Sequence, residues 1–60
     1  MTTADISAVA RHLYETLGTK AVAEAAQKAV SFEDAGKKEQ ANFWRLVESA
    51  VRELRGPKES

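Results

Sequence analysis

Every apolar-periodic stretch of this chain ends at a glycine: Gly18, Gly36 and Gly56, the last followed at once by Pro57. Glycine just past a helix end takes a left-handed backbone without a Cβ penalty, and proline beyond it blocks continuation. The punctuation therefore predicts three helices, over about 4–17, 20–35 and 38–55, in one domain of 1–55, with 56–60 as a flexible C-terminal tail.

The apolar spacing agrees. Ile6, Val9, Ala10, Leu13, Tyr14 and Leu17 follow the i, i+3, i+4, i+7 rule of an amphipathic helix. Thr2 or Thr3 stands where a hydroxyl can cap free N–H groups, and Asp5 sits at the positive end of the helix dipole. The second stretch, with Thr19 as its expected N-cap, is rich in alanine: Ala21, Ala23, Ala25, Ala26, Ala29 and Ala35 accompany Val22, Val30 and Phe32. Alanine favours helix and lets neighbours approach closely, so this helix is expected to pack on two sides. Lys20, Glu24 and Lys28, at i, i+4 spacing, mark its expected solvent face. In the third stretch Phe43, Leu46, Val47, Ala50, Val51 and Leu54 repeat the register of the first, 37 residues later. The polar residues do not correspond, so two helices obey one rule and no unit is duplicated. Glu48 and Arg52 add a surface pair, while Arg52 and Arg55 suit the negative helix end.

The resulting class is all-α. The short link at Gly18-Thr19 implies antiparallel neighbours, which gives a three-helix antiparallel bundle. A helical hairpin of the second and third stretches, completed by dimerisation, satisfies the same pattern. At 60 residues the chain buries only about 60% of the surface that its unfolded form exposes. It has no cysteine, hence no disulfide framework and no thiolate metal site. The remaining routes to stability are very good helix packing or self-association.

Composition also limits function. Nine basic and nine acidic residues give zero formal net charge, against a phosphate-backbone binder. Charged side chains interrupt each apolar stretch, so neither a membrane span nor the apolar segment of a signal peptide is expected, and the expected location is the cytoplasm. His12 is the lone histidine; Glu15 and Asp5, its nearest acids, lack metal-ligand spacing, and it reads as a boundary residue. Neither a Ser/His/Asp set nor a Gly-rich phosphate loop occurs, and a chain this short has little volume for a ligand cleft. The expectation is a non-enzyme without cofactor or metal.

Two surface features remain. Lys37, Lys38, Arg45, Arg52 and Arg55 give the third helix a basic edge beside Phe43-Trp44, the basis of an alternative reading as a small nucleic-acid-associated regulator. Glu39, Glu48 and Glu53 interrupt that edge. A helix-turn-helix drawn at Gly18 would present Lys20, Glu24, Gln27 and Lys28, with an acid among the base-reading positions. Glu33 and Asp34 read as solvated residues beside the Gly36 turn. Trp44 lies one position off the apolar stripe. It either packs on the alanine-rich helix or, with Phe43, Val47 and Val51, continues into an exposed seam that a second chain covers, with Arg45 and Arg52 alongside. On the second reading the chain is a small helical protein-protein interaction module that self-associates as a homodimer or higher oligomer.

The pattern His12-Leu13-Tyr14, Gly18, Ala25-Ala26, Ala29, Glu33, Ala35-Gly36, Ala41, Trp44-Arg45, Val47, Ala50, Glu53-Leu54 resembles a set of short, uncharacterised alphaproteobacterial all-helical proteins. The shared marks are a Gly-ended first helix and a Trp-Arg pair opening the last. The resemblance implies the fold and brings no assigned activity. Gly36 with Ala41 also resembles the turn of tetratricopeptide-type helix pairs; farther along, the large residue and alanine fall out of register, so only a helix hairpin at Gly36 is implied.

Overall fold

The computed structural model describes residues 3–56, with side chains described from Asp5 onward. The chain forms three helices, α1 (Thr3–Leu17), α2 (Lys20–Asp34) and α3 (Lys38–Arg55), and no strand occurs among the described residues. The boundaries lie within one residue of those that the punctuation predicts. Of the expected caps of α1, Thr2 lies outside the described residues, as do Pro57 to Ser60 of the expected tail.

Gly36 ends α2 in the way its position requires. The Lys37 N–H donates to the Phe32 carbonyl (2.8 Å) and the Gly36 N–H to that of Glu33 (3.1 Å), the paired bonds of a Schellman cap. Gly36 has φ +78°, and a Cβ built there meets nothing within 4 Å. Its cost would therefore be conformational rather than steric. Gly36→Ala is expected to lower stability by about 1–2 kcal/mol, and Gly36→Asn by less, in chemical denaturation.

The start of α2 differs from expectation. Thr19 takes helical angles (φ −65°, ψ −19°) and makes no side-chain cap, so its hydroxyl is not the N-cap that the sequence suggests. The turn is closed by backbone bonds instead: the Gly18 N–H donates to Tyr14, and the Ala21 N–H to Gly18. With Gly18 at φ +63°, a two-residue link reverses the chain without side-chain help.

α3 is the central helix. It packs most extensively on α2, less on α1, while α1 and α2 touch least. The three-residue link at Ala35–Lys37 folds α2 and α3 into a hairpin. Ile6 shares one hollow with Phe43 and Leu46, and Ala10 shares another with Ala50 and Leu54, so α1 and α3 run in the same direction. Their common apolar register thus lies side by side in space.

The core is built of small residues. Ala10, Ala21, Ala25, Val47 and Val51 form one buried cluster, and Ala29 and Ala41 are also sealed. Val47 and Val51, at 0% exposure, are the largest fully buried side chains. They do not continue into an exposed seam, as the sequence reading allowed, because Ala10 of α1 and Ala21 and Ala25 of α2 enclose both in one cluster within a single chain. Ile6, Val9, Leu13, Tyr14, Val22, Phe43, Trp44 and Ala50 pack around this cluster only partly buried. The largest apolar groups therefore sit at the rim, where they cover backbone and alanine while keeping one edge in water.

Candidate functional site

The side chains gathered on α3 divide into three groups, each set by its angle around the helix. The first faces α2. Trp44 is half-buried, its ring 5.4 Å from that of Phe43 at 80°, an edge-to-face pair. The Lys28 ammonium lies over the indole, 5.5 Å from its centroid, and also pairs with Glu24 at 3.5 Å. Lys28 keeps 43% of its side chain exposed, so it remains on the solvent face assigned to it while its ammonium reaches the indole. Trp44 accordingly packs against the alanine-rich helix and the rim of the core, the first of its two sequence readings.

The second group is an ion-pair cluster on the outer edge of the α2–α3 groove. Arg45 bridges Glu33 of α2 (3.2 Å) and Glu48 (3.5 Å), and Glu48 also receives Arg52 at 2.8 Å. Glu48 is the most enclosed of the four, with 14% of its side chain exposed. The hydrogen bonds that Arg45 donates to Glu33, then the charge of Glu33, hold the guanidinium above its ordinary value, with Glu48 adding to both effects and desolvation opposing them. Glu33 is therefore no merely solvated residue beside the turn. Its partner lies 12 positions away on another helix, a pairing that no local spacing rule reveals.

This cluster bears on the basic edge. Arg45 and Arg52 are each held by carboxylates, which leaves Lys37, just before α3, and Lys38 and Arg55 within it as the exposed cations of this edge that enter no ion pair among the described residues. Phosphate binding by the two arginines would have to displace glutamates already in place.

The third group faces away from α2. Leu46, in the middle of α3, is 53% exposed, and with Ile6, Phe43, Glu39 and Asn42 it lines an open hollow of about 310 Å³. The volume exceeds what so short a chain was expected to hold, but it is a surface trough between two helices. Leu46 belongs to the apolar stripe of the sequence, yet the seam that the sequence suggests, Phe43, Trp44, Val47 and Val51 with Arg45 and Arg52, does not include it. The stripe spans more of the circumference than α1 and α2 together cover, and Leu46 is on its uncovered margin. Leu17 and Leu54, 40% and 38% exposed, mark the common end of the parallel helices α1 and α3.

His12 is exposed, and its carbonyl accepts a hydrogen bond from the Thr16 hydroxyl. Among the described residues no group of three or more His, Cys, Asp or Glu is placed to hold a metal ion, and no helix is long and apolar enough to cross a membrane. No family model matches the chain, and no curated protein or solved structure is detectably similar to it.

Proposed function

We propose that this chain is a small non-enzymatic interaction module of the cytoplasm, which associates with itself through the outer side of α3. The observation that carries this reading is the exposed Leu46 at mid-helix, beside the half-buried Ile6 and Phe43, in a domain whose sealed core holds nothing larger than valine. Small cores leave little stability in reserve, and apolar surface retained at the centre of a helix recovers it by covering itself on another molecule. Phe43 and Leu46, with Arg45 and Arg52 at the margin, form the contact; Trp44, Val47 and Val51 support it from within. The resemblance to short alphaproteobacterial helical proteins supports a bacterial setting.

Sedimentation of the pure protein tests this reading. The expected result is a mass that rises above 6.6 kDa with concentration and returns to it in Leu46→Asp. A wild-type mass of one chain up to about 1 mM, the range of the weakest specific contacts, would refute it.

A further inference from the structure

The exposed side of α3 has a charge order that suits a second copy in one orientation. Lys38, Asn42, Leu46, Ser49 and Glu53 recur every three or four residues and so form one stripe along the helix, all exposed. A cation stands at one end of the stripe, an acid at the other, and small polar residues flank the leucine. The stripe is also symmetric in position. About the midpoint between Arg45 and Leu46, Lys38 is as far as Glu53, Asn42 as far as Ser49, and Glu39 as far as Arg52. Among the described residues neither Lys38 nor Glu53 enters an ion pair within the chain.

We infer that α3 pairs antiparallel with α3 of a second copy about a two-fold axis between Arg45 and Leu46, an inference that rests on the self-association reading above. In this arrangement Lys38 of each copy meets Glu53 of the other, Glu39 meets Arg52, and Asn42 meets Ser49. The two leucines cover each other beside the axis, and the aliphatic stem of Arg45 lies over them while its guanidinium stays with Glu33 and Glu48. A parallel pairing would set Lys38 against Lys38 and Glu53 against Glu53, so charge selects the orientation. Each contact made in one direction recurs in the other, as an isologous dimer demands. One helix face about 27 Å long buries less than a standard interface, so the dimer is weak and dissociates on dilution.

Charge reversal tests the pairing, with helicity measured on each variant to confirm that it is folded. Wild type is expected to pass from one chain to two between about 10 µM and about 1 mM in sedimentation equilibrium. Lys38→Glu or Glu53→Lys alone should weaken association about tenfold, because two attractions per dimer become two repulsions. The double reversal should restore it. Since the chain has no cysteine, trapping supplies an independent reading: mixed Asn42→Cys and Ser49→Cys chains should form the mixed disulfide in preference to either homodisulfide. Association indifferent to the reversals, or homodisulfides in excess, would overturn the antiparallel pairing while self-association stands. A wild type that stays a single chain throughout would overturn both.

Discussion

Val47→Asp is expected to abolish the cooperative thermal transition, whereas Leu46→Asp, one residue away, keeps wild-type helicity and shifts stability by less than about 1 kcal/mol. The difference follows from side-chain direction alone. Val47 is 0% exposed within the cluster that joins all three helices, and Leu46 is 53% exposed on the far margin of the same stripe. An isolated carboxylate at position 47 has no partner in a core of alanine and valine. Its burial costs several kcal/mol. A domain of this length has about 3–9 kcal/mol in total, at about 0.05–0.15 kcal/mol per residue, so the variant unfolds or melts at much lower temperature. Circular dichroism at low protein concentration, where association adds nothing to stability, checks both variants. A folded Val47→Asp chain would show that the core is not where these three helices meet.

Trp44→Ala is expected to cost about 2–4 kcal/mol, somewhat below the about 3–5 kcal/mol of a fully sealed aromatic, because the indole keeps one edge in water. Three interactions end together: the edge-to-face pair with Phe43, the Lys28 ammonium over the ring, and the packing of the indole on the buried cluster. Loss of the last dominates, since an exposed cation–π contact contributes only about 0.5–1 kcal/mol. Trp44→Phe should therefore recover most of the stability, and Lys28→Gln should lose little. Urea denaturation of the three variants gives the comparison. An unchanged midpoint for Trp44→Ala would mean that the indole supports neither helix.

The contrast between Leu46 and Val47 also shows how far the amino-acid order reaches. Both satisfy the same periodic rule, and a stripe as wide as that of α3 offers no internal sign of which margin stays in water. The side chains favoured at interfaces, aromatic residues and arginine, point to Trp44, Arg45 and Arg52. The structure gives each of them a partner within the chain: Lys28, Glu33 and Glu48. The pairs within one helix, Glu24–Lys28, Arg45–Glu48 and Glu48–Arg52, follow three- or four-residue spacing and are legible from it; the Glu33–Arg45 pair and the Lys28–Trp44 contact are not.

By itself the order of residues determined three helices, their limits to within a residue, the turns at Gly18 and Gly36, and the shared register of α1 and α3. These depend on backbone angles and hydrogen bonds that reach no farther than four or five positions. Tertiary structure alone decided that alanine and valine fill the centre, that Lys28 covers Trp44, that Glu33 holds Arg45, and that Leu46 faces outward. Those outcomes depend on the angle and distance at which helices meet, quantities that arise only when all three side-chain surfaces are packed together.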